Sequence, residues 1–144
     1  MGVKTPAGVT VDTMWAAICA GRGTAAPIAR FDASELPVRF AGEVLEYDPA
    51  EYFGPKEMRR VDRFTQLGFG AAADALADAG ELGADPSRCA VIAATGVGGL
   101  ETMEENESTF LARGASRVSP FFVPMMMPNA VSYTHLTLPT KRIV

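Results

Sequence analysis

The sequence predicts an α/β fold, and three consecutive patterns support that class. Residues 89–94 form a short, continuous apolar run, which is typical of a strand covered on both faces. A glycine-rich turn over residues 96–99 follows and leads into a helical pattern over residues 99–113, with Gly114 as its stop. A longer helical pattern over residues 55–79 precedes the run. Helix, buried strand, tight turn and helix in this order favour a layered α/β architecture.

The elements before the long helical pattern are shorter. Residues 11–20 predict a helix with Asp12 as its N-terminal cap and Gly21 as its stop. Residues 22–37 carry glycine and proline at irregular intervals, which predicts a loop. Residues 38–44 alternate weakly between apolar and polar side chains, which predicts a short strand.

Small residues crowd the second half of the 55–79 pattern: Gly68, Gly70, Ala71, Ala72, Ala73, Ala75, Ala77 and Ala79. Pro55 suits the first turn of a helix, and Gly80 supplies a stop. Glycine inside a helix costs ~1 kcal/mol relative to alanine, so it is retained where another backbone must approach closely. We therefore expect one continuous helix whose second half is buried.

The composition is that of a soluble globular domain. The chain has 144 residues, of which 48% are hydrophobic and 21% are charged, which suits one domain with an ordinary core. No apolar run approaches the length of a membrane helix, and no secretion signal opens the chain. These features predict a cytoplasmic protein without a membrane partner. The net charge of −4 also disfavours nucleic acid as a partner.

Cysteine and histidine are too sparse for the common catalytic and metal sites. Cys19 and Cys89 lie far apart and lack zinc or disulfide spacing. Neither has a neighbour that would activate its thiol, so both are predicted to be buried structural cysteines. The single histidine, His135, lies in the last segment of the chain. Four glutamates are expected on a solvated face: Glu101, Glu104, Glu105 and Glu107. We therefore expect no metal ion or other cofactor.

The turn over residues 96–99 raises the question of a nucleotide site. A dinucleotide fingerprint would need glycine where Glu101 stands, and a phosphate-binding loop would need Gly-Lys at residues 101–102. A carboxylate beside a phosphate is also electrostatically unfavourable. The sequence therefore favours a tight strand-to-helix turn.

Four cations recur at helical spacing and would share one face of a continuous helix: Lys56, Arg59, Arg60 and Arg63. Glu57 and Asp62 are interleaved with them, so the pattern fits either an ordinary solvated face or a docking surface for an acidic partner.

A second pattern also allows two interpretations. Phe121 and Phe122, followed by methionines at 125–127, fit either a core or an adaptable pocket wall.

Five motifs together resemble one enzyme family. They are Arg-Phe-Asp-Ala-Ser at 30–34, Arg-Phe-Ala-Gly at 39–42, Gly-Val-Gly-Gly-Leu at 96–100, Glu-Glu-Asn at 104–106 and Ser-Pro-Phe-Phe-Val-Pro at 119–124. Over residues 1–131 the sequence resembles the type II β-ketoacyl-acyl-carrier-protein synthases, the condensing enzymes of fatty acid elongation. The resemblance implies a thiolase-like α/β/α/β/α sandwich, of which residues 1–131 would be an incomplete N-terminal part.

The resemblance also implies roles for individual residues. By motif match, Val97 would line the acyl-chain pocket, and Phe122 would reach across a dimer interface toward the partner's pocket. A set of cations would receive the strongly acidic acyl carrier protein: Lys56, Arg59, Arg60 and Arg117. The Glu105-Asn106 pair would have a structural role.

The family reaction is a decarboxylative Claisen condensation between an acyl thioester and malonyl-acyl-carrier-protein, carried out by a homodimer. Relatives use a cysteine nucleophile and two histidines that lie beyond the region of resemblance. No catalytic residue is therefore assigned in this sequence, and the chain by itself is expected to be inactive. Residues 132–144 depart from the family and are predicted to be a tail of different origin.

Two alternatives share this fold and stay open at the level of sequence. A polyketide ketosynthase would perform the same chemistry on another substrate. A chain-length factor would be a non-catalytic partner without cysteine at the nucleophile position. The residues that follow 131 in the native gene would distinguish them, since Thr-Ala-Cys indicates an enzyme and glutamine in place of cysteine indicates a structural partner.

Overall fold

The computed structural model describes residues 1–81, 83, 85, 88–127 and 129. The chain divides into two compact units, one formed by residues 1–48 with 70–80 and the other by residues 49–69 with 81–144. The helices are α1 (Val11–Cys19), α2 (Pro55–Met58), α3 (Arg63–Ala79), α4 (Leu100–Arg113) and α5 (Phe122–Met126), and the strands are β1 (Ala26–Pro27) and β2 (Phe40–Ala41). Two short 3-10 turns complete the described elements, at Pro49–Glu51 and Ala115–Arg117. Among the described residues, no helix is both long and apolar enough to cross a membrane.

Helix α1 begins with a reciprocal threonine cap. The hydroxyl of Thr10 accepts a hydrogen bond from the backbone N–H of Thr13 at 3.2 Å, and the hydroxyl of Thr13 accepts one from the N–H of Thr10 at 3.2 Å. The prediction that Asp12 caps this helix was wrong, because the extended backbone of Thr10 already presents a hydroxyl to the first turn. Gly21 follows the helix with φ of +61°, as a glycine stop requires.

The small sheet of the first unit has two strands. Strands β1 and β2 pair antiparallel, with Ala26 opposite Ala41 and Pro27 opposite Phe40. The predicted strand over 38–44 is thus reduced to Phe40–Ala41, and its partner lies inside the region predicted to be a loop. Pairing continues one residue past Pro27, because the backbone N–H of Ile28 donates to the carbonyl of Arg39 at 3.0 Å.

The second half of α3 allows close backbone approach, as its small residues predict. A Cβ atom on Gly70 would lie 2.9 Å from Cε2 of the buried Tyr47 ring. A Cβ atom on Gly2 would lie 1.9 Å from the carbonyl oxygen of Ala71, so the first residues of the chain lie directly against the helix. The prediction of a buried helix is correct only in part, because Leu76 is already 44% exposed.

One continuous helix over residues 55–79 is not present, and that prediction was wrong. Helix α2 ends at Met58, and the N–H of Arg60 closes a turn on the carbonyl of Glu57 at 2.8 Å. Asp62 then starts α3, because its carboxylate accepts a hydrogen bond from the N–H of Phe64 at 3.2 Å. An aspartate in this position competes with continuation of the preceding helix, which explains the break.

The apolar run over residues 89–94 forms no strand, and the prediction of a central strand was wrong. Ile92 is 94% exposed. A strand needs a hydrogen-bonded neighbour, and the described residues give this run none.

The two cysteines are also exposed, so the prediction of buried thiols was wrong. Cys89 opens the unpaired run, and α1, which carries Cys19, buries only Ala17.

Helix α4 matches the sequence prediction closely. It covers Leu100–Arg113, and Gly114 ends it with φ of +82°. In the same unit, the rings of Phe53 and Phe69 pack with their centroids 4.7 Å apart. These two buried phenylalanines contribute much of the apolar core available to this unit.

Candidate functional site

The cations predicted to form a docking surface lie on separate local elements of the second unit. Lys56 is in α2, Arg59 ends that helix and Arg60 lies in the break before α3, while Arg117 closes a 3-10 turn after α4. All four are exposed. Arg63 begins α3 and is partly buried. The prediction of a single helical face was wrong, because the helix is interrupted between Arg59 and Arg63.

One of these cations contacts the phenylalanine motif directly. The guanidinium carbon of Arg60 lies 4.7 Å from the centroid of the Phe121 ring. A guanidinium over an exposed aromatic face contributes ~0.5–1 kcal/mol. Phe121 immediately precedes α5, whose first residue is the partly buried Phe122. The structure therefore brings a predicted docking residue next to a predicted acyl-pocket motif.

The turn that carries Val97 is joined to α5 through the backbone. The N–H of Gly99 donates to the carbonyl of Met126 at 3.1 Å. Gly98 adopts φ of +87°, a conformation that glycine reaches without steric cost. Val97 is 60% exposed. The two predicted pocket residues, Val97 and Phe122, therefore lie on segments connected by a direct hydrogen bond.

Asp62 belongs to the candidate site by its contacts, and the sequence patterns did not single it out. Its Oδ2 accepts hydrogen bonds from both the backbone N–H of Thr102 at 3.0 Å and the hydroxyl of Thr102 at 2.5 Å. Asp62 and Thr102 are both buried. An aspartate directly before a helical pattern is a sequence signal for a cap of α3. Nothing in the sequence, however, indicates that the same carboxylate reaches a helix that begins at Leu100.

Asn106 anchors the start of the phenylalanine motif. Its side-chain amide donates to the carbonyl of Thr102 at 2.8 Å, and its side-chain oxygen accepts from the N–H of Ser119 at 2.9 Å. The hydroxyl of Ser119 in turn accepts from the N–H of Phe121 at 3.1 Å. The structural role predicted for the Glu105-Asn106 pair is therefore confirmed for Asn106.

Two other features of the described residues, possible metal ligands and a cavity in the first unit, give no further candidate site for this chemistry. Among the described residues, no group of three or more His, Cys, Asp or Glu side chains is arranged to hold a metal ion. An open cavity of about 310 Å³ is lined partly by Asp12, Asp74 and Asp78. Three carboxylates suit neither an acyl chain nor an acidic protein. The candidate site is therefore built around Arg60 and the ring of Phe121, the Val97 turn and α5.

Comparisons with known proteins give one consistent family. A family profile described as the N-terminal domain of beta-ketoacyl synthase matches residues 1–137. The chain is 40% identical over 136 residues to 3-oxoacyl-(acyl-carrier-protein) synthase 2 of Synechocystis sp., a match that covers 92% of this chain and 32% of that protein. The chain thus spans about a third of the length of the curated relatives it matches.

Two solved structures share the fold. The ishigamide ketosynthase/chain length factor superposes with a TM-score of 0.72 at 24% identity, covering 94% of this chain and 34% of its own. A type II PKS acyl-carrier protein in complex with its ketosynthase bound to the hexaketide gives a TM-score of 0.70 at 18% identity, covering 97% of this chain and 37% of its own. At these identities the likeness establishes the fold and leaves the substrate open.

Proposed function

Because this chain belongs to the β-ketoacyl synthase family, we propose that it is part of a 3-oxoacyl-(acyl-carrier-protein) synthase II of fatty acid biosynthesis. In this reaction a cysteine thiolate takes the acyl group from a thioester and releases the thiol of that donor, and malonyl-acyl-carrier-protein then loses CO₂. The resulting carbanion attacks the acyl-cysteine thioester, which forms the new carbon–carbon bond and releases the thiolate. Two histidines stabilise the developing negative charge. The cysteine and both histidines would lie beyond the segment seen here.

The observation that carries this proposal is the contact between Arg60 and Phe121. The motif resemblance assigns carrier docking to Arg60, and it implies that Phe122 reaches across a dimer interface toward the partner's acyl pocket. The guanidinium carbon of Arg60 lies 4.7 Å from the centroid of the Phe121 ring, and Phe121 directly precedes Phe122. A docking residue close to the segment that carries Phe122 supports delivery of an acyl chain from a docked carrier. The 40% identity to the Synechocystis synthase supports the same assignment.

The acyl-pocket wall would be provided by Val97 and Phe122. Val97 is 60% exposed, and an apolar side chain facing out from a turn gains stability when an acyl chain covers it. Each methylene group buried there contributes ~0.8 kcal/mol. Phe122 would reach this pocket from the second subunit of a homodimer, in keeping with the family.

The docking surface would consist of Lys56, Arg59, Arg60 and Arg117. All four are exposed cations in a chain whose net charge is −4, so the positive charge is local. Acyl carrier protein is strongly acidic, and complementary charges raise the rate of association. A solved relative that pairs a ketosynthase with its acyl-carrier protein supports this kind of partner.

Further parts of the proposal concern the whole protein. Residues 1–131 would form part of a thiolase-like sandwich, and residues 132–144 would be a tail of different origin. This last segment lies outside the described residues. The synthase would act in the cytoplasm. The chain is 40% identical to the Synechocystis synthase, and this identity favours a synthase of fatty acid biosynthesis over a polyketide ketosynthase or a chain-length factor.

A hybrid enzyme tests the activity. Residues 1–131 of this chain replace the matched segment of the Synechocystis synthase, and condensation of an acyl primer with malonyl-acyl-carrier-protein is measured. We expect the hybrid to form the 3-oxoacyl product. A hybrid that unfolds cooperatively on heating, yet forms no product, would argue against the proposed function.

Charge reversal in the same hybrid tests the docking surface. The double variant Arg59→Glu, Arg60→Glu is expected to raise KM for malonyl-acyl-carrier-protein about tenfold at low salt and less at high salt, since exposed charges are screened. Arg22→Glu is the matched control, because it reverses an exposed cation outside the motifs. An equal effect of the control would remove the specific role of Arg59 and Arg60.

A further inference from the structure

The carboxylate of Asp62 contacts the first turns of two helices at once. Its Oδ1 accepts from the N–H of Phe64, the second residue of α3, at 3.2 Å. Its Oδ2 accepts from the N–H and the hydroxyl of Thr102, the third residue of α4, at 3.0 and 2.5 Å. Asp62 is only 6% exposed. Both oxygens are therefore committed as acceptors at helix N-termini, where negative charge is stabilised.

Helix α4 cannot supply this cap itself. The residue before its first turn is Gly99, which has no side chain to accept a hydrogen bond. Larger residues do not fit there, because a Cβ atom would lie 2.9 Å from Cα of Met126 and 3.0 Å from Oδ2 of Asp62. Asp62 thus takes part in the close packing that excludes a larger residue at position 99, and its carboxylate provides the cap that Gly99 cannot.

The same cluster connects three segments that carry predicted roles. Asp62 follows Arg60 by two residues, and Arg60 lies on the ring of Phe121. Gly99 follows Val97 by two residues and donates to Met126 at the end of α5. All of these residues belong to one compact unit. The Asp62 carboxylate therefore lies where the docking segment, the Val97 turn and α5 meet.

We propose that Asp62 is a positioning residue that holds the Val97 turn against α5. It acts through Thr102 and Gly99 and makes no contact with the acyl chain itself. The consequence for an acyl pocket rests on the proposed function, whereas the positioning of the turn does not. In the pocket, the position of Val97 would set the length of acyl chain that is accepted.

The variant Asp62→Asn isolates this role with little change in shape. A carboxamide has one acceptor oxygen where the carboxylate has two, so one of the two helix caps must be lost. Amide hydrogen exchange is measured across the full chain. We expect exchange of the Thr102 amide to rise at least about tenfold, with smaller increases at Gly99 and through α5, because charged acceptors make the stronger hydrogen bonds.

Two further variants complete the exchange experiment. Glu104→Gln makes the same chemical change at an exposed position of α4. Thr102→Ser keeps the backbone N–H and the hydroxyl that donate to Asp62. Each variant should leave exchange of the backbone amide at position 102 unchanged. Unchanged exchange in Asp62→Asn would overturn the proposal. So would an equal increase in α1, or complete loss of cooperative unfolding, since either assigns Asp62 to general stability.

The hybrid synthase separates this proposal from the proposed function. With carrier-free acyl thioesters of increasing length, Asp62→Asn is expected to shift the preferred chain length and to raise KM about tenfold, whereas Glu104→Gln leaves both unchanged. A shift in exchange without a shift in chain-length preference would overturn the link to the pocket. An inactive parent hybrid counts against the proposed function alone, and the exchange result then decides the positioning role.

Discussion

Among the described residues, each of the two compact units contains a buried charged side chain, and the two charges are satisfied in different ways. In the first unit the side chain of Lys4 is 5% exposed, and its Nζ lies 2.6 Å from Oδ2 of Asp74 and 3.1 Å from the carbonyl oxygen of Val9. In the second unit the carboxylate of Asp62 is held by backbone N–H groups and a hydroxyl. One arrangement is an ion pair, and the other uses the partial positive charge of helix N-termini.

The difference matters for what each charge can do. The Lys4–Asp74 pair ties the start of the chain to α3, so its loss should affect mainly the stability of that unit. Asp62 ties together segments that bear predicted docking and pocket residues, so its loss should affect local order at the site. A buried charge paired with helix N-termini can therefore arrange a site in a way that a single ion pair cannot.

The largest expected loss of stability comes from removing Asp74, the less buried partner of the Lys4–Asp74 ion pair. Asp74→Ala leaves the buried Lys4 ammonium without this counter-charge and should lower the free energy of unfolding by about 3 kcal/mol. Lys4→Met should cost only about 1 kcal/mol, because the Asp74 side chain is 33% exposed and recovers hydration. Urea unfolding of both variants measures this asymmetry. Equal losses would mean that burial of Lys4 is not what makes the pair important.

The next effect tests the close approach in the second unit. Gly99→Ala places a methyl group 2.9 Å from Cα of Met126 and should cost about 1–3 kcal/mol through overpacking. Gly96→Ala is the matched control in the same turn, since a Cβ there meets nothing within 4 Å, and it should be neutral or slightly stabilising. Thermal unfolding of both variants checks this, and a neutral Gly99→Ala would show that the turn is free to move.

Two buried threonines give a sharper comparison within the same unit. The hydroxyl of Thr102 donates to Asp62 at 2.5 Å, whereas the fully buried hydroxyl of Thr65 has no hydrogen-bond partner among the described residues. Thr102→Val should therefore cost about 1–2 kcal/mol, because it leaves a buried acceptor with one donor fewer. Thr65→Val should be neutral or stabilising, because it removes an unsatisfied polar group. Denaturant unfolding compares the two, and equal losses would contradict the role given to the Asp62 hydrogen bond.

Patterns with local causes were predicted well from the sequence. Helix α4 and its glycine stop follow from the apolar spacing and from Gly114. The close packing around Gly70 follows from the small residues of α3. In both cases the signal lies in residues that are near one another in the chain, although the ring that packs on Gly70 belongs to the distant Tyr47.

The wrong cap at Asp12 was a local error, whereas two larger errors involve partners that are distant in the chain. The continuous helix over 55–79 failed at Asp62, whose side chain starts a new helix and also reaches Thr102. The strand over 89–94 failed because an apolar run forms a strand only beside hydrogen-bonded neighbours. The candidate site follows the same rule: its motifs were recognisable, but the contact of Arg60 with Phe121 depends on the fold.

The smallest expected effect concerns an exposed carboxylate, which sets a baseline for the two buried charges. The backbone N–H of Ser34 donates to Asp32 at 3.0 Å, and this bond, followed by the Ser34 hydroxyl, holds the pKa of Asp32 below its ordinary value. A lowered pKa in the folded state means that Asp32 adds slight stability above its unfolded pKa, which is lost as the pH falls through the folded pKa. NMR titration should show the low pKa, and Ser34→Ala should raise it only in part, because the backbone donor remains. A full return to the ordinary value in Ser34→Ala would assign the effect to the hydroxyl instead.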